Sequence, residues 1–118
     1  MKFMTDLHLL RRREGEGGLF ILQQEYVVIL ESGERYCVPA GMKTDLASIP
    51  DFIPKWIAKK VDSSIEAAIV HDHMCVVKWR TSKEAAEVFL DGLRSGGVGM
   101  FQANLMYKAV LWFGPKWS

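Results

Sequence analysis

A histidine and an aspartate stand side by side in the middle of an otherwise apolar segment, AAIVHDHMCVVKW, at residues 67–79. A histidine can act near neutral pH as a general base or a metal ligand, and an aspartate can hold a cation. Counting at helical spacing from Ile65 places Asp72 on the apolar stripe and His71 one step round the helix. Because a carboxylate in a core must be satisfied by hydrogen bonds or a cation, we expect Asp72 to have a partner in another segment.

The segment AGMKTDLASIP, residues 40–50, offers that partner. Thr44, Asp45 and Ser48 place short oxygen-bearing side chains in a stretch that we expect to be non-helical. Two interpretations stay open. In the structural one, Asp72 fixes this loop, Asp45 makes a local turn and Ser48 caps a helix. In the functional one, His71 is the base while Asp45 and Asp72 bind a divalent cation, either calcium or zinc.

The two cysteines add little to this site. His71 and Cys75 are four residues apart and could share a zinc ion, but only His8, His73 and scattered carboxylates remain as further ligands. Cys37 and Cys75 form no CxxC motif, so we expect two buried thiols in a reducing compartment.

Length, charge and hydropathy predict a single domain that neither binds nucleic acid nor spans a membrane. The 118 residues predict a single domain, 1–118, and the net charge of +1 gives no general reason to expect nucleic acid or an anionic membrane as partner. The N-terminus lacks the features of a signal peptide. The apolar run LMYKAVLWFG is too short to span a bilayer and contains Lys108, so we expect no transmembrane segment.

The elements that must position the site follow from the pattern of apolar and turn residues. Residues 19–39 are rich in β-branched and aromatic side chains interrupted by the turn ESGE, which predicts an antiparallel β-hairpin or meander. Helix signals follow: a short helix after Ser48, the helix of the His-Asp pair, a helix over 81–97 capped by Ser82, and a final helix ended by Gly114. The order predicts an α+β fold with three to four helices packed on one face of the sheet.

Aromatic residues cluster near the C-terminus in VLWFGPKWS. Trp112, Phe113 and Trp117 could anchor a partner, but we favour a place in the seam between the last helix and the sheet. Trp56 and Trp79 are expected in the core.

Four segments together carry a family resemblance: VPAGMKTDLASIP, AAIVHDHMC, SKEAAEVFLDGLRSGGV and ANLMYKAVLWFG. From about Val38 to Gly114 the chain resembles the phage-associated proteins of the domain of unknown function 1353, whose hallmark is a TD-x-AS-x-P loop followed by a helical HD-x-x-Y. The resemblance implies that the important positions are those that match this hallmark, namely Thr44, Asp45, Ser48, Pro50, His71 and Asp72.

Two positions depart from the family pattern. Cys75 replaces the tyrosine of HD-x-x-Y, and Ala85 and Ala86 stand where the following helix often carries an aspartate. Both missing groups are ones that would orient a catalytic histidine. The motif is also similar to the HD-x-x-Y helix of phospholipase A2 enzymes, where the histidine activates water and the aspartate holds calcium. This chain lacks their glycine-rich calcium loop and their disulfides, and a shared local motif does not carry function between folds.

We therefore expect a small non-enzymatic phage or prophage protein, tail-associated in the virion or an accessory late protein. By the same resemblance it would reside in the host cytoplasm or in the virion, with other virion proteins as partners and no nucleic acid. The alternative is a metal-dependent ester or amide hydrolase that uses His71, Asp72 and Asp45. Inhibition of a host defence system is a third role, without support from any residue.

Overall fold

The strands form two small antiparallel sheets. A computed structural model of the chain describes residues 1–5, 9–11, 20–44 and 62–118. The strands in these ranges are β1 Lys2–Phe3, β2 Leu9–Arg11, β3 Phe20–Leu22, β4 Tyr26–Ile29, β5 Arg35–Val38 and β6 Lys43–Thr44. The first sheet has the order β1-β4-β5 and the second the order β2-β3-β6.

The β4–β5 hairpin is the centre of the first sheet. Its turn is closed by hydrogen bonds from Leu30 N to Glu34 O (2.8 Å) and from Gly33 N to Leu30 O (2.9 Å). Gly33 adopts φ +90°, a conformation that disfavours residues with a Cβ. Along β5 the side chains alternate, so that Tyr36 and Val38 are buried while their neighbours are exposed. The hairpin thus presents one apolar face to the helices.

Three helices follow in the part of the chain described after residue 61: α1 (Asp62–Val77), α2 (Ser82–Ser95) and α3 (Met100–Phe113). Thr81 is the N-cap of α2, and its hydroxyl accepts a hydrogen bond from Glu84 N at 3.1 Å. The predicted cap, Ser82, is instead the first helical residue, and its hydroxyl donates to Trp117 O (3.1 Å). The one-residue error arises because Thr81 and Ser82 both have the chemistry of a cap.

Helix α1 lies between two apolar clusters. Ile69, Val70 and Met74 pack with the buried residues of the first sheet, whereas Ala67 and Ala68 pack with α2 and α3. Consequently all five residues from Ala67 to His71 are buried, and α1 has no continuous polar face along this stretch.

The predicted α+β architecture is confirmed: an antiparallel sheet precedes three helices. Within 19–39 the pairing differs from a simple meander, since β3 pairs with β2 and β6 and not with β4. The short helix predicted after Ser48, with Trp56, lies outside the described residues. None of the helices in the described ranges is long and apolar enough to cross a bilayer.

Two predictions of burial are wrong. Cys37 is exposed on β5 and Cys75 is only partly buried, both as free thiols. Trp112 (62% exposed) and Phe113 (79%) do not fill a seam with the sheet. Trp112 lies on the side of α3 away from its buried residues, and Phe113 is exposed as the last residue of the helix. Trp79 and Trp117 do pack against the core cluster of the sheet.

Candidate functional site

His71 is the buried polar residue of the predicted motif. It is 4% exposed, on the side of α1 that faces α2, and its ring centroid lies 5.2 Å from that of Phe89. Burial lowers the pKa of His71 from 6.5 to about 4, because a charged imidazolium would lose its hydration. The imidazole is therefore neutral at pH 7.

Cys75 lies one helical turn beyond His71. Its Sγ is 3.8 Å from both Nδ1 and Nε2 of the imidazole, close enough for a weak S–H hydrogen bond to whichever nitrogen lacks a proton. Burial, and secondarily the negative charge of Asp72, raise the pKa of the Cys75 thiol to about 11. The thiol stays protonated near neutral pH, where a nucleophile or zinc ligand would need to be a thiolate.

Asp72 is only partly buried, so the buried side of α1 is not the stripe through Asp72 that helical counting predicted. Val76, on the same predicted stripe, is 72% exposed, while His71 takes the core side. The loop predicted to contact Asp72 is described only at its start, where Thr44 is the last residue of β6. Its other predicted residues, Asp45, Ser48 and Pro50, lie outside the described residues. The link between Asp72 and this loop stays a prediction.

His73 faces the sheet and forms a second polar contact of the motif. The Tyr36 hydroxyl lies 2.6 Å from Nδ1 of His73, and the two rings meet edge to face at 5.6 Å between centroids. Burial lowers the pKa of His73. Burial raises the pKa of Tyr36, with smaller contributions from the Cys75 thiolate that forms at high pH and from the carboxylate of Glu34. The phenol therefore remains protonated near neutral pH, and its hydrogen bond with the neutral imidazole of His73 ties α1 to β5.

The contact between Tyr36 and His73 was not predicted, although the sequence carries a signal for it. Side chains two positions apart in a helix point about 200° away from each other, so His71 and His73 must contact different neighbours. Tyr36 stands at an inward position of an alternating strand, which makes its hydroxyl a candidate partner for a polar residue on the helix above.

The chemistry open to these groups is limited. His71 and Cys75 are in contact and Asp72 influences the thiol, but the described part of the chain contains no group of three or more His, Cys, Asp or Glu able to hold a metal ion. Asp45, the other predicted ligand, is not among the described residues. What the geometry supports is a neutral, packed histidine between two helices.

A cavity of about 220 Å³ lies elsewhere, between the β4–β5 turn, the connection from α1 to α2, and α2 itself. Its lining includes Trp79, Arg80 and the carboxylates of Glu31, Glu87 and Asp91, and none of the predicted site residues. The guanidinium of Arg80 stacks 4.4 Å from the Trp79 ring centroid, so the chain's own cation already occupies the aromatic wall. This cavity offers no route to His71.

Comparison with known proteins places the chain in a family. The sequence profile described as "Protein of unknown function (DUF1353)" matches residues 20–110. The uncharacterized protein y4jT of Sinorhizobium fredii is 33% identical over 101 residues, which cover 85% of this chain and 30% of y4jT. The uncharacterized protein y4iH of the same organism is 32% identical over 105 residues, which cover 88% of this chain and 44% of y4iH.

The chain thus spans less than half of the length of either relative. No solved structure gives a significant match. The profile covers both β-hairpin and helices, including the His-Asp segment, and on that extent of match the chain belongs to the DUF1353 family of proteins of unknown function.

Proposed function

We propose that this chain is a small non-enzymatic protein of phage or prophage origin, either a tail-associated virion component or an accessory late protein. In this proposal the histidine of the family motif is a packing element. The observation that carries it is the burial of His71, which is neutral, pressed against Phe89 and paired with a protonated thiol. The phage or prophage origin rests on the resemblance of the loop and helix motifs alone.

A catalytic histidine needs different surroundings. General-base catalysis is most efficient when the pKa of the base lies near the working pH, whereas the pKa of His71 is about 4. The positions that would supply an orienting carboxylate hold Ala85 and Ala86, both fully buried. Apolar packing in place of an orienting group favours a structural role for this histidine.

The test compares His71→Ala with Val76→Ala, a control at an exposed position of the same helix. His71→Ala should lower the free energy of unfolding by about 2 kcal/mol or more, because it leaves a cavity and an unpaired thiol, while the control should change it little. Thermal melts of both variants check this. A His71→Ala protein that folds with unchanged stability and loses a hydrolytic activity of the parent chain would contradict the proposal.

The location in a particle is tested separately. Mass spectrometry of purified virions from a host that carries the gene should find the chain in proportion to tail proteins. Its absence from particles, together with its presence in the lysate, would leave only the accessory form of the proposal.

A second candidate function is a metal-dependent ester or amide hydrolase. One observation favours it: Asp72, the neighbour of His71, is partly exposed, so its carboxylate is accessible to a cation from solvent. Calcium or zinc should then raise the melting temperature, since a ligand that binds only the native state stabilises it. Asp45→Asn and Asp72→Asn should abolish the shift, and a parent chain that shows no shift with either ion contradicts this candidate.

A further inference from the structure

The cavity between the β4–β5 turn and α2 combines an apolar interior with an acidic rim. In its lining Leu30 is buried and Val88 and Trp79 are partly buried, whereas Glu31 and Glu87 are exposed. Its volume of about 220 Å³ is several times the roughly 30 Å³ that one water molecule occupies in the liquid. The cavity therefore has room for an organic group of several heavy atoms.

Carboxylates from two elements form the rim. Glu84, Glu87 and Asp91 recur at helical spacing on one side of α2, and Glu31 belongs to the β4–β5 turn. Negative charge thus comes from two different walls of the cavity. A cationic group that enters between these walls is attracted by both of them.

Two of the rim carboxylates already have partners. The N-terminal ammonium donates to Asp91 Oδ2 at 2.7 Å, and the Thr81 hydroxyl donates to Glu84 Oε1 at 3.1 Å. Within the described part of the chain, Glu31 and Glu87 form no hydrogen bond or ion pair. Glu31 and Glu87 are therefore the carboxylates left to bind a ligand.

Arg80 lines the cavity but does not neutralise these two carboxylates. Its Nη2 forms an ion pair with Glu34, which lies outside the lining. Its guanidinium stacks on Trp79, 4.4 Å from the ring centroid. The charge of Arg80 is thus balanced outside the cavity, and the negative charge of Glu31 and Glu87 remains.

The arrangement favours an ammonium group over other cations. In the described ranges no three His, Cys, Asp or Glu side chains are grouped closely enough to hold a metal ion. A guanidinium gains affinity from stacking on an aromatic ring, and the Trp79 ring is already stacked by Arg80. A primary ammonium needs only acceptors for its three N–H groups, and Asp91 already binds one such group at the rim.

We propose that this cavity binds a primary alkylammonium group, whose aliphatic stem lies against Leu30 and Val88 and whose nitrogen lies between Glu31 and Glu87. A lysine side chain of a partner protein and a free polyamine share this chemistry. The inference uses no residue of the His-Asp motif, so it does not depend on the proposed function.

The test records the amide and indole NMR shifts of the full chain during titration with n-pentylammonium chloride. The resonances of Trp79, Val88 and the β4–β5 turn should shift in a saturable way. n-Pentanol, which lacks the charge, should bind about fivefold more weakly, and methylammonium, which lacks the stem, at least about tenfold more weakly.

Glu31→Gln and Glu87→Gln should each weaken the binding of n-pentylammonium about threefold, because each removes one charge and keeps the shape of the side chain. The matched control is Glu25→Gln, which gives the same change in net charge at an exposed position outside the lining and should bind as the parent does. Circular dichroism melts verify that all variants fold.

Two further probes of equal charge distinguish the sources of the ammonium group. Tighter binding of a capped peptide with three lysines than of spermidine assigns the cavity to a lysine of a partner protein. The reverse order assigns it to a free polyamine.

The absence of saturable shifts, equal binding of n-pentanol and n-pentylammonium, or equal losses in Glu87→Gln and Glu25→Gln would overturn the proposal. So would magnesium chloride that shifts the same resonances at the same concentration, because carboxylates that bind any cation do not form an ammonium site.

Discussion

At the scale of single residues, the burial of an uncharged histidine makes the stability of this protein depend on pH. The pKa of His71 is 6.5 when exposed and about 4 in the folded chain. Between these values the unfolded chain binds a proton at His71 that the folded chain does not bind. The contribution of His71 to the free energy of unfolding should therefore be constant above about pH 6.5. It should fall by about 3 kcal/mol as the pH drops from 6.5 to 4.

Denaturant titrations at several pH values between 7 and 4 check this, with His71→Gln as the reference. The glutamine variant cannot take up the proton, so the difference in stability between parent and variant should shrink as the pH falls through this interval. Acidic residues contribute equally to both proteins and cancel in the comparison. Parallel pH curves for the two proteins would show that His71 is solvated in the folded state.

The same residue shows how far the site could be predicted. The segment AAIVHDHMC correctly pointed to a polar residue inside a helix, but helical counting chose Asp72 for the core instead of His71. A single stripe describes a helix that packs against one neighbour, whereas α1 is covered by the sheet on one side and by α2 on the other. Which of two adjacent polar residues points inward then depends on tertiary packing.

At the scale of elements, the close approach of α1 and α2 depends on two small residues. Gly92 of α2 faces Ala67 of α1, and a Cβ added at Gly92 would lie 3.1 Å from Ala67 Cβ. Alanine is favoured over glycine inside a helix by about 1 kcal/mol, but Ala67 is fully buried in the middle of α1 and cannot move without the helix. We expect Gly92→Ala to destabilise the protein despite its better helix propensity, and Gly92→Val to do so more strongly.

A double-mutant cycle with Ala67→Gly provides the control. Removing the opposing methyl group should relieve the contact with α1, and the other near neighbour of the added Cβ, Met1 Cε at 3.1 Å, is the end of a flexible side chain that can move. Gly92→Ala should therefore become neutral or stabilising in that background, with a coupling of about 1 kcal/mol. Thermal melts of the four proteins measure it. If the two substitutions are additive, the helices are free to separate and the small-residue contact does not set their distance.

Elements formed by local signals were predictable, and those formed by distant pairing were not. The β4–β5 turn and the three helices carry their own turn, cap and periodicity signals. Strands β1, β2 and β6 are two or three residues long and exist through partners such as Ile29 for Lys2 and Phe20 for Thr44. So short a strand has no sequence pattern of its own, because its register is fixed by the strand it joins.

At the scale of the whole molecule, the segment after α3 returns to the corner between α1 and α2. Trp117 Nε1 donates to Trp79 O (3.1 Å), while Trp117 O accepts from both the backbone N and the hydroxyl of Ser82, each at 3.1 Å. This corner includes Lys78 and Arg80 at φ +54° and +48°. Non-glycine residues keep such left-handed conformations only when surrounding contacts hold them, and Trp117 supplies several of those contacts.

Trp117→Ala should therefore reduce the free energy of unfolding by about 2–3 kcal/mol, through lost packing and the loss of the hydrogen bond to the carbonyl of Trp79. Trp117→Phe should keep part of the packing and lose the bond to Trp79 O, giving an intermediate value. Trp112→Ala is the matched control, because Trp112 is 62% exposed and should change stability by no more than about 0.5 kcal/mol. Denaturant melts compare the three, and equal losses for Trp117→Ala and Trp112→Ala would show that the returning segment does not brace the corner.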